Sequence, residues 1–444
     1  MKTTPPNPLS DTIERALLIN PPVYDTRLPW AKWQQPTLLL RLGTYLRQVG
    51  TEVKLLDALS KPSTTRLHRE RVALLDLDGL KVPKWRYGLA KSALIHELQA
   101  LAQDGWHPDK VFVECFTTFW WEGAAEAVQI AKEIFPKSRV VLIGSYPILV
   151  PDHAREHSGA DEITTESWPA LFHLPSDLSL YANPPDFMYL SFGQGSRTAD
   201  EVADEIAQAF RRNVRHFAFV EHSVARRFTD LYRSVLEKVI AQRLRIKFYA
   251  LGNIAPSDLV MAPDLPELMK QAGYEQINFS DDRDASDDPA TTGQLIDDYR
   301  EAASLCHGAG FAKRSDALCA GVCIGRPGED IAARVRLATF ITHHIGSVIF
   351  WPYQPSSQEC SGMPLEDRNG KLFPLRAENG LTYRDYLNLL GLATVLNAKY
   401  REYTFDFMGD GLIPNLLRDS IARRGWEPNP EVKGSLKLPL VVRS

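Results

Sequence analysis

The chain has 444 residues, a formal net charge of −4, 44% hydrophobic residues and 24% charged residues. That length suits two or three domains. The apolar content excludes wholesale disorder, and the near-balanced charge excludes a surface built for nucleic acid or an anionic membrane. No apolar run reaches the roughly 18 residues of a membrane span. The opening MKTTPPNPLSDTIER lacks the apolar centre of a signal peptide, so the sequence reads as cytoplasmic. Five scattered cysteines (115, 306, 319, 323 and 360) do not form a disulfide framework. Only Cys319 and Cys323 are close. They fall in the apolar run ALCAGVCIG, which reads as a strand rather than a metal knuckle.

ALLIN (16–20) is a short apolar strand stopped by Pro21 and Pro22. Apolar spacing predicts a helix over 36–49, then a strand at 51–57. Residues 61–86 are polar and read as a long connection or insertion. A helix over 90–103, a strand at 110–116, a helix over 122–135 and strands at 139–144 and 160–166 follow. Strands so nearly continuous in apolar residues are what a parallel sheet covered on both faces requires. Such a sheet binds ligands at the carboxyl ends of its strands. This singles out the loops 20–35 (with Pro22 and Tyr24), 116–122, 144–151 and 166–168 (with Glu166). The first domain spans 13–170.

A segment rich in Pro, Ser and Asn (168–186) leads into a second α/β pattern. Its strands are read at 187–192, 215–220, 245–251, 275–280, 315–325 and 346–351. Its helices are read at 198–211, 228–243, 264–272, 292–307 and 329–344. Six such units can curl into a partial (β/α)6 barrel over 185–375, its site again at the carboxyl ends. Helices over 384–400 and 411–424 make 376–444 a helical extension. Glu221 and His222, after HFAFV, have the residue types of a catalytic acid/base pair, and Asn253 also stands at a strand end. Gly193 and Gly195 precede a helix, where backbone amides suit an anion or a tight turn bridges a deletion.

LLINPP (17–22), LLRLGTYLRQVGTEVKLLD (39–57), WRYG (85–88), PDKVFVECFTTFWWEG (108–123) and VVLIGSYPILVPDHA (140–154) together resemble the cobalamin-binding domain of cobalamin-dependent radical-SAM proteins. The resemblance implies a doubly wound, Rossmann-like domain holding a corrin. Trp30, Trp33, Trp120 and Trp121 would be walls, Thr117, Thr118, Ser145 and Tyr146 hydrogen-bond partners, and Gly144 a point of close approach. The segment supplying a lower histidine ligand in other cobalamin proteins, Asp-x-His-x-x-Gly, is absent. RTADEVADEI (197–206), ALGNIAPSD (250–258), LPELMKQAGYEQINFS (265–280) and CAGVCIGRPGED (319–330) resemble the radical-SAM barrel, an α/β TIM-type fold. They imply an S-adenosylmethionine (SAM) pocket that includes Gly325 and Pro327.

One departure governs the chemistry. The family binds a four-iron cluster through Cys-x-x-x-Cys-x-x-Cys after the first barrel strand, and here YLSFGQGSRTADE (189–201) contains no cysteine. A cluster needs thiolates, so neither an iron–sulfur cluster nor another metal site is expected. Three readings remain. The first is non-radical methyl or group transfer to a small-molecule substrate with cobalamin and SAM, the cobalt being reduced from outside. The second is an inactive scaffold or partner of an intact radical-SAM enzyme. The third, apart from any resemblance, is a two-domain enzyme for a phosphorylated metabolite, with 193–197 as the anion loop.

Overall fold

Alternate residues of the first strand, β1 (Arg15–Asn20), enter two separate cores. Leu17 and Ile19 face one side, Ala16 and Leu18 the other, all fully buried. A strand buried on both faces favours apolar residues at every position, hence the apolar run. The computed structural model describes residues 12–26, 35–60, 67–77, 79–183, 185–281, 288–312, 316–326, 328–353, 362–368, 389–393 and 396–397.

β1 lies between β3 (Glu52–Asp57) and β6 (Lys110–Glu114), with β7 (Arg139–Ile143) and β8 (Glu162–Ile163) beyond, all neighbours parallel in the order β3-β1-β6-β7-β8. Leu39, Leu42 and Leu46 of α1 (Thr37–Gln48) cover one face. On the other lie α2 (Lys91–Gln103), through Leu94 and Leu98, and α3 (Trp121–Ile134), through Ala124 and Val128. Each leucine buried in this way contributes about 1.5–3 kcal/mol. The strand order reverses between β1 and β6, and at such a point a crevice opens at the carboxyl ends. The strand read at 160–166 is only two residues long, and α4 (Ser145–Leu149) and α5 (Pro151–His157) precede it.

Where described, residues 61–86 are not a polar connection but sheet. β2 (Val23–Asp25), β4 (Arg69–Leu77) and β5 (Leu80–Tyr87) pair antiparallel in the order β2-β5-β4. Asp78-Gly79 between the two runs is a strong hairpin signal, and Gly79 has φ 78°. Most of β4 faces solvent although Val72 and Leu74 are apolar; its last residue Leu77, with Val82 of β5, enters the core of the second sheet. The hairpin is anchored at its base, where buried Arg86 pairs with Glu126 of α3 at 2.6 Å and Tyr24 Oη donates to the same carboxylate at 2.5 Å.

The second sheet has six parallel strands in chain order: β9 (Phe187–Leu190), β10 (His216–Phe219), β11 (Lys247–Ile254), β12 (Tyr274–Phe279), β13 (Leu318–Ile324) and β14 (Ser347–Pro352). The helices between them are α6 (Ala199–Arg211), α7 (Val224–Arg227), α8 (Thr229–Ala241), α9 (Pro256–Val260), α10 (Leu265–Ala272), α11 (Pro289–Gly308) and α12 (Ile331–His344). The molecule is thus a mixed α/β protein built on parallel sheets.

Residues 168–183 pack against both sheets rather than spacing them. Leu171 and Leu174 join the core under α1, Thr44 Oγ1 donates to the Pro175 carbonyl at 2.6 Å, and Arg47 pairs with Asp177 at 2.7 Å. Leu40 of the same helix α1 belongs to the core of the second sheet, so α1 bridges the two. Residues 389–393 and 396–397 are helical, and Leu389 and Leu392 are buried in the second core. The rest of the expected C-terminal helices lies outside the described residues. Among those, no helix is long and apolar enough to cross a membrane.

Candidate functional site

A cavity of about 600 Å³ lies between the two sheets. One side comes from the ends of β1 and β6, Asn20–Val23 and Glu114–Phe116, which flank the reversal of strand order. The other side comes from Tyr189, Phe219, Val220, His222 and Leu251–Asn253, at the carboxyl ends of β9, β10 and β11. The volume suits a small-molecule ligand, for which pockets run to about 300–1,000 Å³. Phe116 and Val220, one from each side, are 64% and 48% exposed. Each strand has just left its sheet at these points, so nothing in the core covers them.

A buried polar cluster supports the β1–β3–β6 side. Asp57 accepts from Asn20 Nδ2 at 2.6 Å, from Tyr181 Oη at 2.7 Å and from the Leu59 N–H at 3.0 Å. Burial raises the Asp57 carboxyl despite these donors. Burial also pushes Glu114 up to about 8, and the neighbouring Asp57 charge adds to the shift, while the Leu39 N–H in the first turn of α1 opposes it. Glu114 Oε2 is buried without a partner. Across the cavity, Asn253 Nδ2 donates to the Phe219 carbonyl at 2.9 Å, and its Oδ1 is buried without a partner. Gln35 ties the two sides together, accepting from the Tyr189 N–H at 3.0 Å and donating to the Phe187 carbonyl at 3.3 Å. Among the described residues no lysine or arginine lines the cavity.

The structure brings few of the residues singled out from sequence to this cavity. Pro22, Trp120, His222 and Asn253 line it. Trp120 is held by its Nε1, which donates to Asp25 at 3.1 Å. Tyr24 is bonded to Glu126, away from the cavity, and Glu166 is exposed. Thr117 accepts the Cys115 Sγ hydrogen bond through its carbonyl at 3.2 Å, and Thr118 opens the short turn leading into α3. Tyr146 is fully buried against His153, Oη to Nδ1 at 2.7 Å, and Ser145 begins α4. Gly325 donates its N–H to Glu329. Trp30, Trp33 and Pro327 lie outside the described residues. Glu221 and His222 are adjacent in sequence but are not hydrogen-bonded to each other. Glu221 Oε1 accepts from Ser191 Oγ at 2.6 Å and from the Phe192 N–H at 2.5 Å, turning it into a support for the loop 191–197.

Gly144 serves packing between neighbouring strand ends. It has φ 101° and ψ −168°, and a Cβ there would sit 2.6 Å from the Cys115 carbonyl oxygen. Gly144→Ala is expected to destabilise the chain by about 1–3 kcal/mol, since only glycine holds that conformation without strain. A thermal melt checks this; an unchanged midpoint would refute it.

The loop that would hold a cluster in the resembled family is filled by protein charge. Arg197 Nη1 reaches the Ser191 carbonyl at 2.9 Å and Glu205 Oε2 at 2.6 Å, both side chains almost fully buried. Glu205 Oε1 in turn accepts the Ser176 N–H at 2.8 Å. Arg197 is thereby committed and does not present an anion site with Gly193 and Gly195. Gly193 instead packs against the Phe172 carbonyl, 2.1 Å from where a Cβ would stand. Among the described residues no three His, Cys, Asp or Glu side chains gather as a metal site.

Sequence reasoning missed Glu114, although a lone acid within the apolar run KVFVECF is a signal. Gln35 and Phe116 fall in the loops 20–35 and 116–122 singled out above and Val220 ends the strand read at 215–220, but nothing marked the individual side chains.

No family model and no curated protein matches the chain. Among solved structures it is similar to the catalytic domain of a hyperthermophilic chitinase from Pyrococcus furiosus, at 12% identity and a TM-score of 0.22, covering 58% of this chain and 78% of that one. It is also similar to the carboxyl transferase domain of Rhizobium etli pyruvate carboxylase, at 10% identity and a TM-score of 0.23, covering 65% of this chain and 41% of that one. At those scores the likeness assigns no function.

Proposed function

We propose that the chain is a corrinoid-binding protein of radical-SAM-like architecture, a Rossmann-like domain facing a partial barrel, that works without an iron–sulfur cluster. The observation that carries this reading is the cavity itself. It opens at the reversal of strand order in one parallel sheet and is closed by the strand ends of a second, with exposed Phe116 and Val220 on opposite sides. A corrin is a broad disc with an apolar face and amide arms. Phe116, Trp120 and Val220 suit the face, while Asn20, Gln35 and Asn253 suit the rim. When bound, a reduced corrinoid supplies a nucleophilic cobalt able to accept and pass on a methyl group. The chain's own residues would orient it and exclude water. The absence of cysteine from 189–201 and the burial of Arg197 in that loop support a non-radical role.

The test is anaerobic reconstitution with hydroxocobalamin, iron and sulfide, followed by absorbance and metal analysis of the desalted protein. Stoichiometric cobalt without iron is expected, and methyl transfer from SAM to the cobalt would be assayed next. Stoichiometric iron would overturn the non-radical reading. Neither metal would leave the scaffold reading, in which the architecture persists as shape alone.

A further inference from the structure

We propose that Glu114 and Asn253, one from each sheet, form a paired hydrogen-bond clamp selecting an uncharged, amide-bearing ligand. The clamp rests on the reading above only in placing a ligand in this cavity. Both residues line it, both are more than nine-tenths buried, and each keeps one oxygen without a partner. An unmade hydrogen bond at a buried group costs about 1–3 kcal/mol, and a ligand that completes the pair would offset that cost. The two oxygens lie just beneath the wall. The terminal torsions of Glu and Asn are soft, so the clamp requires only an adjustment small enough to keep the Asn253–Phe219 bond.

Charge and donor direction decide the ligand class. The bond from Asn253 Nδ2 to the Phe219 carbonyl leaves Oδ1 as an acceptor. The titratable groups around Glu114 are Asp57, Tyr181 and the buried Cys115 thiol on its own side, with His222 and Tyr189 across the cavity. Burial and the Asp57 charge keep Glu114 protonated at neutral pH, so it donates. A carboxamide answers both residues, its carbonyl accepting from Glu114 and its NH2 donating to Asn253. A carboxylate has no donor for Asn253, and burying its charge costs far more than burying a neutral amide. Phe116 and Val220 favour a flat apolar body carrying the amide.

Benzamide and benzoate have the same shape and differ in charge and donors. Titrated into the full chain by calorimetry near neutral pH, benzamide is expected to bind at least about tenfold more tightly than benzoate. Asn253→Leu should weaken benzamide by about tenfold, the loss of one hydrogen bond with a buried partner left unpaired. Native affinity should fall between about pH 6 and pH 9 as the Glu114 carboxyl ionises, whereas Glu114→Gln, a donor at every pH, should hold a level profile. Benzoate binding as tightly as benzamide, no benzamide binding, or a native profile as level as that of Glu114→Gln would overturn the clamp. The pH profiles decide the matter even if Asn253→Leu does not fold. Hydroxocobalamin is titrated separately. A chain that takes benzamide and not the corrinoid keeps the clamp and loses the corrinoid reading; one that takes the corrinoid without amide selectivity does the reverse.

Discussion

Replacing Glu205 with leucine is expected to lower the stability of the chain by about 3–5 kcal/mol, because Arg197 would remain a buried cation without its counter-charge. The two side chains are 1% and 4% exposed and meet at 2.6 Å, so water cannot take over the lost partner. The pair also ties three segments together: the loop 191–197, helix α6 and the stretch around Ser176. Replacing both residues, as Arg197→Met with Glu205→Leu, should recover most of the loss, since the double change removes the buried charge as well as its partner. Urea unfolding of the native chain, the single variant and the double variant measures both effects. A single variant as stable as the native chain would mean that the loop does not depend on the pair.

The second large effect is on the pH dependence of stability. The folded chain holds the Glu114 proton up to about pH 8, against an ordinary value of 4.5. Below 4.5 both folded and unfolded chains carry the proton and the group has no effect. Between the two values the unfolded chain releases it while the folded chain keeps it. Stability therefore falls as pH rises, by up to about 1.4 kcal/mol per pH unit. Above about 8 both forms are ionised and the loss levels off. Glu114→Gln, close in shape to the protonated acid, should remove this decline. The variant is expected to match the native chain at the acid end of the window and to exceed it at the alkaline end. Asp57, also raised by burial, contributes a decline of the same sign that the variant leaves in place. Melting curves across the window test this. A native chain whose stability is flat with pH, or a variant that melts below it at the alkaline end, would refute the assignment.

The sequence by itself determined the alternation of elements. ALLIN, KVFVECF and RVVLIG read as strands buried on both faces, because each is a short, nearly continuous apolar run bounded by turn or helix signals. The helices α1, α6 and α8 follow from periodicity, and the Thr198–Glu201 capping box marks the start of α6. The hairpin over β4 and β5 was legible in Asp78-Gly79 but was masked because RERVALLDL shows no alternation of apolar and polar residues. Fewer of the site residues could be read. Glycine and tyrosine at 144 and 146 look like ligand contacts in sequence, yet one makes room for the Cys115 carbonyl and the other fills a core. Glu221 looks like half of an acid/base pair, yet its carboxylate is bonded within its own sheet end. Only the tertiary structure decided which strand ends meet. It set Glu114 opposite Asn253, 139 positions apart in the chain. Periodicity reports which face of an element is buried, because burial is a local average over neighbours. A cavity is made where two such elements fail to touch, and that depends on how whole sheets pack, which no local pattern encodes.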